Sequence, residues 1–209
     1  MKTTRKVLLS IGAIGAAASI AGLGTFATFT DSDSATATIT AGTVTIDLAD
    51  AGANNRLNVG ASGMVPGDSL QRRVVLSNDG NQALASVTLT TTAAASTLLT
   101  SDATDGLQMK IEKCGGAAGW RESATTPYTY TCDALLPGDN AGTRSSVLAR
   151  RAILGSTIAL SGMSSLTAGA SDDMVVTVDL PSSADNNFQG LESVITYTFN
   201  ATQRAATAK

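Results

Sequence analysis

The chain's 209 residues fit one domain plus a targeting segment, and 43% hydrophobic against 15% charged residues excludes a disordered polypeptide. Ala, Thr, Ser and Gly abound while aromatic residues make up only 4%, which favours β-rich structure with many turns over a helical bundle. The net charge is −3, and without Lys2, Arg5 and Lys6 it becomes 11 − 17 = −6; with no basic stripe to override it, nucleic acid is excluded as a partner.

Lys2, Arg5 and Lys6 precede an apolar stretch from Val7 to Leu23, which closes on Gly24-Thr25-Phe26-Ala27. Basic head, apolar middle and small-residue end are the three parts of a secretory signal peptide, here residues 1–27. Thr25 and Ala27 suit the two small pockets of a signal peptidase, so the cut is expected between Ala27 and Thr28, leaving 209 − 27 = 182 residues. An uncleaved membrane anchor competes with this, because the run approaches the length of a spanning helix. Four glycines and the cleavage-like end speak against it, so membrane contact is expected only through the uncleaved signal peptide.

Residues Thr36 to Leu48 alternate apolar and polar positions, with the parity flipping around Gly42, which predicts two short strands or one bent one. Val65-Pro66-Gly67-Asp68 is a turn, with Pro presetting its first corner and Gly accepting positive φ at the second. The strand from Leu70 to Ser77 points Leu70, Val74 and Leu76 one way, with Arg72 as an imperfection on that face. Asn78-Asp79-Gly80-Asn81 then predicts a hairpin to a return strand, Ala83 to Thr90, with Ala85, Val87 and Leu89 inward. A loop with a helical turn is expected from Thr91 to Asp105, and strands at Leu107–Lys113 and Tyr128–Cys132.

Val147, Leu148, Ile153 and Leu154 fall at helix-like spacing, making Arg144 to Leu154 the helix candidate. In the last third, Met174, Val176, Val178 and Leu180 face in and Val175, Thr177 and Asp179 out. After the polar loop Ser182 to Gly190, Ile195, Tyr197, Phe199 and Ala201 oppose Val194, Thr196, Thr198 and Asn200. Short strands between Gly/Pro/Asn turns predict an all-β antiparallel sandwich or jelly roll, residues 28–209 as one domain with short helices only in the connections.

Several stretches resemble TasA-like and camelysin-like proteins. The junction Gly24-Thr25-Phe26-Ala27-Thr28-Phe29-Thr30-Asp31, followed by Ala41-Gly42-Thr43-Val44, is similar to the start of that family. Val65-Pro66-Gly67-Asp68-Ser69-Leu70 with Leu76-Ser77-Asn78-Asp79-Gly80 resembles its middle element. Asn186-Asn187-Phe188-Gln189-Gly190 through Phe199-Asn200-Ala201-Thr202-Gln203 resembles its closing strand. Residues 91–170 carry no such match. The resemblance implies a jelly-roll domain exported through a SipW-type signal peptidase. TasA-like members assemble into biofilm-matrix fibres by inserting the N-terminal segment of one subunit into the sheet of the next, whereas camelysin-like members were classed as metallopeptidases.

Peptidase chemistry finds little support in the residues. Histidine is absent from the whole chain, which removes the commonest general base and the commonest zinc ligand together. Lys110, Lys113 and Lys209 sit in no recognisable Ser-Lys nucleophile motif, so the chain is expected not to be an enzyme and to need no cofactor or metal. The acidic groups Asp31/Asp33, Asp172/Asp173 and Asp185 lack a calcium-loop spacing and are read as solvated turn carboxylates. The sequon Asn200-Ala201-Thr202 lies inside a predicted strand and is read as chance. Cys114 and Cys132, the only thiols of an exported chain, bracket a Gly-rich loop; a disulfide is inferred rather than two reduced thiols, and it departs from the family pattern.

The expected function is that of a secreted structural subunit of matrix or cell-surface fibres, a head-to-tail homopolymer. The terminus created by cleavage is small, β-branched and without a hairpin partner, so residues Thr28 to Ala41 are expected to be the donor strand, burying Phe29, Ile39 and Ala41 in a neighbour. The competing reading of that segment is a mobile tail or an edge strand folded back on its own domain; the functional alternatives are a monomeric surface adhesin and, weakest, a camelysin-type extracellular peptidase.

Overall fold

The computed structural model describes residues 30–34, 46–49, 52–57, 63–115, 118–125, 127–134 and 142–205. In chain order these form β1 (Thr30–Ser34), β2 (Ile46–Leu48), β3 (Ser69–Asn78), β4 (Leu84–Ala93), α1 (Leu98–Ser101), β5 (Gln108–Gly115), β6 (Ala118–Glu122), β7 (Tyr130–Ala134), β8 (Thr143–Ala152), β9 (Gly155–Ala159), β10 (Ser171–Asp179), a 3-10 turn (Asn186–Phe188) and β11 (Ile195–Gln203). Every strand pairing is antiparallel. A four-stranded sheet runs β1-β11-β4-β9, a five-stranded sheet β2-β3-β10-β5-β8, and β6-β7 form a separate hairpin.

Period-two patterning builds the sandwich core. Val74 and Leu76 of β3, Val87 and Leu89 of β4, Met109 and Ile111 of β5, Met174 and Val176 of β10 and Phe199 and Ala201 of β11 are at most 1% exposed. Burying one large apolar side chain of this kind contributes about 1.5–3 kcal/mol. The predicted turn at Val65-Pro66-Gly67-Asp68 is present: the Asp68 N–H donates to Val65 O at 2.9 Å and Gly67 takes φ 96°. The helical turn expected after Thr91 is α1.

Four expectations are corrected. First, β3 and β4 do not form a hairpin, because they belong to different sheets whose inward residues share one core. The Asn78 backbone is taken by another loop: its N–H donates to Ala170 O at 2.9 Å and its carbonyl accepts from Gly169 N at 2.8 Å. Its buried side chain donates to Gln82 O and accepts from Gly80 N, turning the chain over the edge of the sheet. Second, Arg144 to Leu154 is not a helix but β8 and the start of the connection to β9. Register shifts against β5 around Ile111 bring the adjacent Val147 and Leu148 both to buried positions, which imitates helical spacing.

Third, Ala85 is exposed and Leu84 buried instead, because the pairing with β11 skips Ala85 between Ser86 and Leu84. Fourth, Val175 and Thr177 are not outward surface. Val175 is 1% exposed under the β6-β7 hairpin, with Trp120, Tyr130 and Cys132 packed on it. The strand expected at Tyr128–Cys132 lies two residues later, as β7. Arg72 occupies the inward register as the pattern required; it is buried, donates to Gln71 O at 2.7 Å, and burial pushes its guanidinium below its usual range. Of the N-terminal stretch read as strand, Ile46–Leu48 is β2, and residues 36–45 lie outside the described residues.

Candidate functional site: the β1 edge and the braced hairpin

Both sheets have two edges, and they differ in how well they are closed. Thr30 to Ser34 lie antiparallel along β11, Thr30 opposite Thr202 and Ser34 opposite Thr198. The strand is five residues long and its sequence, TDSDS, holds no apolar residue. At the opposite edge of the same sheet β9 begins at Gly155, carries Thr157 at φ 49° and slips register against β4. In the five-stranded sheet β2 has only three residues, whereas β8 is interrupted by two register shifts and carries exposed Arg144, Arg150 and Arg151. Bulges, charges and irregular backbone blunt an edge against further pairing. The β8 and β9 edges are blunted in this way; β11 is regular from Thr198 to Thr202 and is covered there by β1.

The predicted donor positions Phe29, Ile39 and Ala41 and the cleavage residues Ala27 and Thr28 lie outside the described residues. Cys114 and Cys132 are joined in a disulfide, which ties the end of β5 to the middle of β7. The hairpin is fixed at several further points. Trp120 Nε1 donates to Asp173 O at 3.0 Å, the Tyr130 N–H to Gln71 Oε1 at 2.8 Å, and Arg144 Nη2 to Tyr130 O at 3.0 Å. Arg56 donates through both Nε and Nη2 to Glu122, at 3.1 and 2.7 Å, and stacks 4.3 Å over the Tyr128 ring. The Tyr130 hydroxyl donates to Glu122 at 2.5 Å. The Arg56 hydrogen bonds hold the Glu122 carboxyl below its usual range against its partial burial, while burial and then Glu122 push the Tyr130 hydroxyl up to about 12. Sequence reading missed this layer; its only signal was Trp120, Tyr128 and Tyr130 gathered around the cysteines of a Gly-rich stretch.

The acidic candidates separate. Asp173 pairs with Arg73 through two hydrogen bonds, and Asp185 accepts from Asn187 N at 2.9 Å at the start of the 3-10 turn. Asp172 is 2% exposed; it accepts from the Ser165 N–H at 2.7 Å and lies 3.4 Å from Lys113 Nζ. Burial alone would raise its pKa, but the Ser165 and Ser164 backbone N–H groups and the Lys113 charge outweigh it and hold the carboxyl below the usual range. Stability gained this way is complete above the unfolded carboxyl pKa, about 3.9, and is lost as pH falls through the lower folded value. Asp172→Ala leaves a buried N–H without an acceptor and is expected to cost about 2–3 kcal/mol at pH 7. Urea unfolding should show that deficit shrinking below pH 4; a pH-independent deficit would contradict the assignment.

Lys113 Nζ also lies 3.3 Å from Ser164 Oγ, the nearest approach to a Ser-Lys pair among the described contacts. The same nitrogen donates to Gly162 O and toward Asp172 Oδ1. An ammonium has three donors and no acceptor, so an amine committed to these three oxygens presents no lone pair to take the Ser164 proton. The cluster pins the loop between β9 and β10.

The sequence profile of the camelysin metallo-endopeptidase family matches residues 2–208. The chain belongs to this family. No curated protein matches it. The family's name implies a catalytic metal, and the described residues of this camelysin-family chain do not fit one. Both cysteines are consumed in the disulfide, the chain has no histidine, and no three metal-ligating side chains converge among the described residues. Asp172, Asp173 and Glu122 spend their oxygens on Lys113, Arg73 and Arg56. Catalytic zinc needs three protein ligands and an open fourth position, so no hydrolytic step is derived through a metal.

Proposed function

We propose that the chain is a structural subunit of extracellular or cell-surface fibres and not an enzyme. After export and removal of residues 1–27 by a SipW-type signal peptidase, residues Thr28 to Ala41 of one copy take the place of β1 beside β11 of the next. The observation that carries this reading is the β1 edge. A short polar strand covers a regular stretch of β11, while β8 and β9 are blunted. Exchange replaces one set of main-chain hydrogen bonds by an identical set from a neighbour, as in β-strand addition. The four residues between Ala41 and Ile46 span about 15 Å when extended, so an exchanged strand holds donor and acceptor bodies close together. Family membership and the signal-peptide layout support a surface or extracellular location.

Locking β1 tests the reading. Ser32 stands opposite Asn200, so a Ser32→Cys/Asn200→Cys variant should close β1 onto its own sheet. Oxidised, this variant is expected to remain monomeric under conditions in which the parent forms filaments by electron microscopy, and reduction mild enough to spare the native bridge should restore assembly. Filaments of unchanged yield from the locked protein would refute exchange. A second reading, a monomeric surface-binding module, draws on the same observation, since β1 here closes on the chain's own β11; a parent that stays monomeric under all conditions selects it.

A further inference from the structure

The large apolar side chains that stand exposed among the described residues are Val65, Leu98 and Val194, at 57%, 43% and 70%. All three lie at one end of the sandwich. Val65 opens the turn into β3, where the Gly67 N–H donates to Leu180 O just past the end of β10. Leu98 opens α1, whose Leu99 carbonyl accepts from Leu107 N at the start of β5. Val194 precedes β11, and its carbonyl accepts from Ala94 N just past β4. The other end carries the start of β2 opposite Asn78, and a loop in which Thr167, Ala168 and Gly169 are exposed and uncharged. Scattered surface valines and leucines need no explanation, but their confinement to one end does.

The direction of β1 supplies it. The strand starts opposite Thr202, at the end where none of the described large apolar residues is exposed, and runs to Ser34 opposite Thr198, toward the apolar end. A β1 inserted from another copy in this register leaves the acceptor at its apolar end. It re-enters its own body at Ile46, which lies at the other end of that body. We infer that Val65, Leu98 and Val194 form the body-to-body contact of the polymer and pack against the end of the donating copy that carries Thr167 to Gly169. Small residues there allow close approach, and removing apolar surface from water favours the contact. The two faces are different, so the contact is heterologous and propagates without closing. This inference rests on the strand-exchange reading and adds a second, separable half to each junction.

The test uses Val65→Asp/Val194→Asp in the mature chain, with Ser145→Asp on β8 as a control for added charge. Both side chains are exposed, so circular dichroism and thermal melting should match the parent; the milder Val65→Thr/Val194→Thr guards against misfolding and should give a smaller effect in the same direction. The Asp pair is expected to raise the critical concentration for filaments at least about tenfold. A synthetic peptide Thr28–Ala41 should bind chains lacking those residues within about twofold, whether or not they carry the Asp pair. Parent-like assembly by the Asp pair overturns this contact and leaves strand exchange standing. A parent that neither assembles nor, after truncation, binds the peptide overturns both.

Discussion

A mature chain lacking Thr28 to Ala41 is expected to fold, to stay monomeric and to form no filaments. The strand it loses contributes pairing on one side only, along Thr198 to Thr202 of β11. The freed groups meet water, and a hydrogen bond exchanged for water costs only about 0.5–1.5 kcal/mol net. The core on the other side of β11 is untouched, because Phe199 and Ala201 pack into the sandwich and β4 still pairs along the whole strand. Assembly should respond all or none, since no donor remains to cover β11 of the next copy. The truncated chain keeps its own open β11, so it should bind the peptide Thr28–Ala41 and, added in small amounts, cap growing filaments of the intact protein. Sedimentation velocity and electron microscopy separate the outcomes. Normal filaments from the truncated chain would remove exchange from consideration, and a truncated chain that fails to fold would make β1 part of the domain's own stability.

Period-two patterning was legible wherever one strand face meets the core and the other meets water. Tyr197, Phe199 and Ala201 follow it without exception, with partly exposed Thr198 and Asn200 between them. It misled where a third layer or an irregular pairing intervened. Val175 reads as outward on parity alone, and only the hairpin with Trp120 and Tyr130 turns that face into interior. Val147 and Leu148 read as helical because register shifts place neighbours on the same side, and local spacing does not record the partner strand that imposes the shift. The β3–β4 connection carries turn residues suited to a hairpin, yet the choice between pairing in plane and crossing the core is made by the Gly169–Ala170 backbone, 91 residues beyond Asn78. Of the candidate site, the disulfide was legible from two thiols in an exported chain, and the acidic residues were legible as turn groups only in part. Asp185 caps a turn, but Asp172 is buried and Asp173 is paired with Arg73, both through partners distant in sequence.

Cys114→Ser/Cys132→Ser is expected to lower stability by about 3 kcal/mol, the loop-closure entropy released by opening a bridge between residues 18 apart. That is a large share of a stability of about 5–15 kcal/mol typical of a domain, so the variant should remain folded at room temperature but melt well below the parent. The hairpin should stay docked in the native state. Trp120 keeps its bond to Asp173, Tyr130 its bonds to Gln71 and Glu122, and Arg56 its bidentate hold on Glu122, none of which passes through the sulfurs. Trp120 is the chain's single tryptophan and sits in this layer, so its fluorescence reports the hairpin while far-ultraviolet circular dichroism reports the sheets. Coincident urea transitions by the two probes, shifted to lower urea with an unchanged slope, are the expected result, because the polar anchors then keep the hairpin inside the cooperative unit. If fluorescence changes first, the bridge is what couples the hairpin to the sandwich. A loss under about 1 kcal/mol would mean the unfolded chain is already compact around this loop, and the entropic account of the bridge would fail.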